Sequence, residues 1–399
     1  MSSAAARRVS NISRAMLCCG FSAFALLYCV QPLMPEMAEQ FTLTPAQSSW
    51  PLSITTIALA LSLLGSGALS DRIGRKPVIG AALAAAAVCA LLSALAQTFT
   101  QLLVARALLG VALGGVPAVA MAYLNDEVEP QSLGNAMGIY IAGTALGGTA
   151  GRVLSALVTE SLSWRWAMAL MGLMGLYAAW DFCKSLPASG RFIAARPGWR
   201  QLIAGAGAHL QDGGMRSLYL FAFLLMGVFV SLYNYVSFRL LAAPFALSPT
   251  VVGICSLLYL SGIFSAVGAG RLADRIGRRN VLWAVTAAML AGLLLTLSNT
   301  LIVIVAGMAL FTASFFAAHS VASSWVARRA RGPRAMAAAL YLFFYYVGAA
   351  AIGSLSGTAW SAGGWGAVVA LLALALGAAL ATAVRLHALV PLDARPVCA

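Results

Sequence analysis

The chain has 399 residues, of which 61% are hydrophobic and 9% charged, and its formal net charge is +14. A soluble domain carries about 25% charged residues, so this composition excludes a protein whose surface faces water on every side. The basic residues sit in short clusters between long apolar runs, a pattern of membrane topology, and no groove-reading helix or stacked-aromatic motif argues for nucleic acid as a partner.

At the N-terminus Arg7, Arg8 and Arg14 precede an apolar run. The run is long enough to span a bilayer and no small-residue cleavage pattern follows it, so it reads as a retained helix. Spanning needs about 20 mainly apolar residues. Twelve such segments occur, at 15–36, 50–70, 77–97, 101–124, 133–158 and 164–183, then at 218–240, 250–272, 280–298, 301–325, 335–357 and 365–385. The polar stretch between the two sets, 184–217, holds five basic residues, Pro187 and Pro197, and reads as a cytoplasmic linker with room for a helix on the membrane surface. The expected units are therefore 1–183, the linker 184–217, and 218–399. With both termini in the cytoplasm, every Lys and Arg except Arg106, Arg152, Arg165 and Arg239 lies on or near the cytoplasmic side. The bias of Lys and Arg toward that side sets the orientation.

Span 2 ends in the octet SDRIGRKP, Ser70–Pro77, and span 8 ends in ADRIGRRN, Ala273–Asn280, 203 residues later. The chain is thus a tandem repeat of a six-helix unit. Parallel repeats of this kind build transporters, with the site between the halves. In the first copy Gly67 stands one helical turn before Asp71, where a glycine lets another helix approach. Asp71 is placed to meet the positive N-terminus of a neighbouring helix. Gly74 allows a tight turn, and Arg72, Arg75 and Lys76 hold the loop at the surface. Gly270, Asp274, Arg275, Gly277, Arg278 and Arg279 repeat each element, so both loops are expected to act as a conformational latch.

The pattern Gly67-x-x-x-Asp71-Arg72-x-Gly74-Arg75-Lys76 resembles the loop motif of the major facilitator superfamily, and the resemblance covers the whole chain. FALLYCVQPLMP (Phe24–Pro35), AAHSVASSW (Ala317–Trp325) and LYLFFYYVGAA (Leu340–Ala350) resemble the YnfM-type inner-membrane transporters, an efflux branch tied to acriflavine sensitivity. The resemblance implies an all-α membrane protein, twelve helices in two six-helix bundles, N-in and C-in, in the bacterial inner membrane. It implies a proton-driven secondary exporter of drug-like or metabolite molecules, working as a monomer without cofactor or metal. The fold also permits an uptake symporter for a sugar or organic acid.

Ionisable residues at membrane depth are costly and are functional candidates. Arg106, in Arg106-Ala-Leu-Leu-Gly110, resembles the span-4 arginine motif of proton-coupled drug antiporters, with Leu109 where that motif has Gln. Span 5 reads Gly143-x-x-x-Gly147-Gly148-x-x-Gly151-Arg152. It resembles the antiporter motif of that span, with Gly148 in place of a proline and Arg152 in place of a glycine. Arg152 reads either as a coupling residue or as an outer-surface anchor. His319 titrates in the physiological range and is either a proton carrier or a buried histidine bonded to a serine or a carbonyl. Glu36 lies at the outer end of span 1, within conceivable reach of Arg106, and no Asp or Glu falls in the middle of a span.

By the same resemblance the first and fourth helices of each half line the cavity, flanked by the second and fifth. These carry Phe24, Tyr28 and Gln31, Tyr233 and Asn234, Phe315, and Tyr341, Tyr345 and Tyr346. Gln31 and Asn234 are also separated by the repeat interval. Aromatic rings with a few amides suit apolar or planar ligands, and Arg106 is the one basic residue expected at cavity depth. No metalloprotease, nucleophile-elbow or phosphate-loop motif marks an enzyme, and no pore-lining polar repeat marks a channel. The seven cysteines include no Cys-x-x-Cys spacing, which argues against a disulfide framework or a zinc site.

Overall fold

A computed structural model describes residues 3–187, 189, 199–330 and 334–388. Span 1 is Ser3–Tyr28, which runs on through a 3-10 turn at Gln31–Leu33 into a short helix, Met34–Gln40. Span 2 is Trp50–Ile73, span 3 Arg75–Ala94, span 5 Pro130–Ser161 and span 6 Trp164–Ser185. Span 4 is broken, Phe99–Leu113 then Pro117–Glu127. Of the linker, Trp199–Gln211 forms a helix, while 188 and 190–198 lie outside the described residues.

Span 7 is Gly213–Leu241, span 9 Arg278–Leu295 and span 10 Leu301–Arg329. Span 8 joins Pro249–Ile254, a 3-10 segment Cys255–Leu260, and Ser261–Ile276. Spans 11 and 12 form one hydrogen-bonded stretch, Arg334–Ala388, bent at Gly363 and Gly364. Gly364 takes φ +59°, a backbone region that a Cβ disfavours. That bend divides a 52-residue apolar run into two crossings and brings the eleven long apolar helices to twelve spans.

Helices satisfy their backbone groups internally, which lipid requires. Their outer faces show Leu61, Phe264, Ile302 and Leu374, large apolar side chains more than half exposed. Helix starts are fixed by sequence-local capping. Thr98 and Gln101 form a capping box before span 4, Ser248 caps span 8, and Asp212 caps span 7 through the Met215 amide. Asp212 also holds Arg329 at the end of span 10, at 2.7 and 3.0 Å.

Glycines let helices cross closely in both halves. Span 5 lies on span 1 with Gly143 over Leu17, Gly147 over Phe21 and Gly151 over Ala25. A Cβ would fall 2.5 Å from the Leu17 oxygen at Gly143 and 2.7 Å from the Ala25 oxygen at Gly151. In the second half Gly348 of span 11 meets the Phe223 backbone of span 7 in the same way. The expected close approach at Gly67 is not made in this state: nothing lies within 4 Å of a Cβ built there.

Gly147→Ala is expected to destabilise the protein by about 1–3 kcal/mol, the range for overpacking. Gly377 has open space around it, so Gly377→Ala should be neutral or slightly stabilising. Thermal unfolding of the two purified variants in one detergent checks the contrast.

Candidate functional site

Spans 1, 5, 7, 8, 10 and 11 enclose a central cavity of about 490 Å³. It extends from Arg152 at its outer end toward Gly138, Gly270 and Ser320 nearer the cytoplasm. Its walls are mainly apolar and carry seven aromatic rings: Phe24 and Tyr28 from span 1, Phe229 from span 7, Tyr259 from span 8, Phe315 and Phe316 from span 10, and Tyr345 from span 11. Phe229 and Phe315 stack face to face, with centroids 3.6 Å apart.

The outer end is closed. Every described hydrogen bond between the halves lies on this side. Gln31 Nε2 donates to Asn234 Oδ1 at 2.6 Å and Ser354 to Ser53 at 3.1 Å. The Thr250 amide donates to Glu160 at 2.8 Å, and the Tyr235 hydroxyl to the Pro45 carbonyl at 3.4 Å. Gln31 sits in the 3-10 turn that ends span 1, where the loss of regular helix swings its amide toward span 7. Residues related by a two-fold axis touch only on that axis. The Gln31–Asn234 contact, at the repeat interval of 203 residues, therefore marks the pseudo-symmetry axis.

Arg152 is not an outer-surface anchor. It is 2% exposed and lines the cavity. Its Nε donates to Gln31 Oε1 and its Nη1 to the Gly148 carbonyl, both at 2.6 Å. The guanidinium carbon lies 4.2 Å from the Tyr28 ring centre and 4.4 Å from that of Tyr259, so a ring from each half stacks on it.

Arg106 is fully buried but away from the cavity. It is bonded to the carbonyls of Leu26 at 3.0 Å, Leu27 at 2.8 Å and Pro51 at 3.3 Å. It ties the ends of spans 1 and 2 to span 4 and does not meet Glu36. The half-buried Glu36 instead faces the Trp164 amide at 3.4 Å. The expectation that Arg106 supplies the cation at cavity depth is thus replaced by Arg152. The reason is geometric: span 4 turns Arg106 toward helix-end carbonyls, while span 5 turns Arg152 inward. Both remaining outer arginines bind carbonyls at helix ends, Arg165 at Ala96 and Arg239 at Thr296 and Ser298.

His319 shares a 3.0 Å hydrogen bond with the Tyr341 hydroxyl and stacks on Phe315, where a serine or backbone partner was expected. Of the other predicted cavity residues, Tyr233 bonds Thr312 at 2.6 Å, and Tyr346 is buried edge-on against Tyr345. Sequence reading missed Phe229, Tyr259 and Phe316. Phe229 stands one turn from Tyr233 on the same helical face, which is a usable signal, whereas Tyr259 is delivered by a 3-10 distortion that the pattern does not announce.

The two repeated loops have matching geometry. Gly74 and Gly277 both take positive φ, +100° and +91°. Arg75 reaches Asp71 at 2.5 Å and Asp126 at 3.2 Å. Arg278 reaches Asp274 at 2.8 Å and Ser324 at 3.1 Å. Asp71 therefore spends its carboxylate on its own half in this state, rather than on a helix N-terminus across the mouth. Lys76 and Arg279 donate to the carbonyls of Leu186 and His387.

Two repeated six-helix bundles around a cavity sealed on one side and bordered by loops on the other define a secondary transporter. The profile described as Major Facilitator Superfamily matches residues 16–265. The chain is 44% identical to the uncharacterized MFS-type transporter YybF of Bacillus subtilis, over 93% of this chain and 92% of that one. It is 45% identical to the inner membrane transport protein YnfM of Escherichia coli, over 94% and 90%. A crystal structure of a mutant nucleoside transporter NupG superposes with a TM-score of 0.76 at 17% identity, covering 94% of this chain and 98% of that one. The chain belongs to the Major Facilitator Superfamily and is a multi-pass protein of the bacterial inner membrane, a transporter and not an enzyme.

Arg106→Ala removes the cation that ties the Leu26, Leu27 and Pro51 carbonyls together, and a bond from a charged group contributes about 1.5–3 kcal/mol. The variant is expected to lose most folded protein. Arg106→Lys, which lacks the planar fork, should retain an intermediate amount. Size-exclusion recovery after extraction measures the loss. Transport per folded molecule near wild type would mark Arg106 as a structural tie rather than a coupling residue.

Proposed function

We propose that this protein is a monomeric, proton-driven exporter of small planar, largely apolar molecules, whether drug-like compounds or metabolites. The halves 1–183 and 218–399 rock about the linker 184–217 to give alternating access. One observation carries this reading: aromatic rings from both halves enter the cavity, and the described hydrogen bonds between the halves lie at its outer end, which leaves the cytoplasmic side as the one from which an exporter loads. Aromatic walls with few polar groups suit planar apolar ligands. The similarity of the chain to the YnfM-type transporters supports export over import.

Proton coupling is assigned to His319. It stands behind the cavity wall, bonded to Tyr341, and an imidazole ring nitrogen can take up and release a proton. Arg106 and Arg152 are not assigned as carriers and contribute by fixing the local field. Glu36 faces Trp164 at the outer side and is placed to exchange protons with the outside. The loops bearing Asp71 and Asp274 close the cytoplasmic mouth when the halves rock. A second reading, uptake of an organic acid, is favoured by Arg152 alone, which offers a cation to a carboxylate.

Uptake of a panel of planar compounds into inverted membrane vesicles tests the proposal. Accumulation is expected to need no ATP and to collapse with a protonophore; accumulation that survives the protonophore would exclude proton-driven export. Asp71→Asn should slow transport between about two- and thirtyfold at normal abundance, the effect of a contact of about 0.3–2 kcal/mol on one state. His319→Gln should abolish accumulation against a gradient yet permit downhill flux. A His319→Gln variant that still concentrates substrate would remove this residue as the carrier.

A further inference from the structure

We infer that the outer end of the cavity is a binding site for a single anionic group, a carboxylate or its equivalent, carried on an aromatic or planar substrate, with Arg152 as its counter-charge. The inference rests on the transporter reading above and names the substrate class of that cavity; it is independent of the direction of transport.

The cavity wall includes one charged side chain among the described residues, and it is Arg152. No described ion pair involves it, unlike Arg75, Arg278 and Arg329, each of which holds a carboxylate. Its hydrogen-bond acceptors are neutral, the Gln31 amide oxygen and the Gly148 carbonyl. Tyr28 and Tyr259 stack on the guanidinium. A guanidinium has five N–H donors, and the described bonds from Nε and Nη1 leave others to read a carboxylate. A buried cation without an anion is costly, and an arriving anion removes that cost.

Gly148 makes the room. It lines the cavity one turn before Arg152, and a Cβ there would sit 3.3 Å from the Arg152 Nη1 and 3.8 Å from the Tyr28 ring. Beyond Gln31, the Asn234 Nδ2 is buried without a hydrogen-bond partner, so the polar cluster at this end has a further donor to offer. A single cation matches a single negative charge. A second would be left uncompensated among aromatic rings, which lipid-depth burial penalises. The aromatic walls below Arg152 select the rest of the molecule by stacking. Because Arg152 also holds Gln31, whose amide bridges to Asn234 of the other half, an anion on the guanidinium competes with a contact that keeps the outer side shut.

The test compares naphthoate with naphthamide, its neutral isostere, in equilibrium binding of radiolabelled ligand to the purified full chain at neutral pH. Wild type is expected to prefer the acid by roughly tenfold or more, as a site built for a polar group does. In Arg152→Gln the preference should vanish, and Arg152→Lys should keep part of it. Should Arg152→Gln fail to fold, Gly148→Val tests the same site by filling the space beside an intact guanidinium, and naphthoate binding should be lost. Equal affinity for acid and amide in wild type, binding of neither, or a preference that survives Arg152→Gln or Gly148→Val, overturns the inference. Neutral planar compounds exported with no acid preference would leave the exporter reading standing while this one falls. Arg152-dependent naphthoate binding without protonophore-sensitive export would do the reverse.

Discussion

A charge in a bilayer must be compensated from within the protein, and that constraint organises the structure. An arginine at the centre of a spanning helix costs about 2.5–3.5 kcal/mol on insertion scales, so each outer arginine needs a local justification. Arg165 and Arg239 meet it at helix ends, where terminal carbonyls lack intrahelical donors. Arg106 meets it with two carbonyls at the end of span 1, Leu26 and Leu27, and one at the start of span 2, Pro51. Arg152 meets it only in part, with an amide, one carbonyl and two aromatic faces. Of the four residues that break the charge bias of the chain, three thus bond only backbone carbonyls among the described residues, and the fourth faces the cavity.

The repeat explains where that cation stands. Duplication places equivalent segments about one axis, and Gln31 meets Asn234 there. The glycine-mediated crossings of span 5 on span 1 and span 11 on span 7 are the same device used twice. They bring helices near enough for rings from both halves to reach the centre. The symmetry is broken by chemistry: the first half contributes the cation, and the second contributes most of the aromatic wall together with His319.

The fold was legible because its signals are long-range and redundant. Apolar runs of spanning length, Lys and Arg placement, and the twin octets each point to the same architecture. The shared shape of the two loops was legible for the same reason, since Gly74 and Gly277 recur with identical neighbours and share one backbone conformation. The site was less so. Arg106 and Arg152 look alike in sequence, each a lone arginine in an apolar helix. Which one faces the cavity depends on helix rotation, set by the glycine contacts of span 5 and the break in span 4. Tyr259 was hidden because a 3-10 segment, not helical periodicity, delivers it. Gln31 and Asn234 stood among the expected cavity residues and shared the repeat spacing, and the contact that gives the spacing meaning is a tertiary one.

The outer closure is built largely from neutral partners: an amide on an amide, a serine on a serine, a tyrosine on a carbonyl. Such bonds contribute about 0.5–1.5 kcal/mol each, so a handful amounts to a few kcal/mol. A gap of that size leaves the opposite conformer populated at about 0.1–10%. The molecule can therefore cross between its two faces on thermal energy alone. Low ionic strength and high salt should leave that equilibrium almost unchanged at the outer side, because screening acts on charges, and this seal contains few.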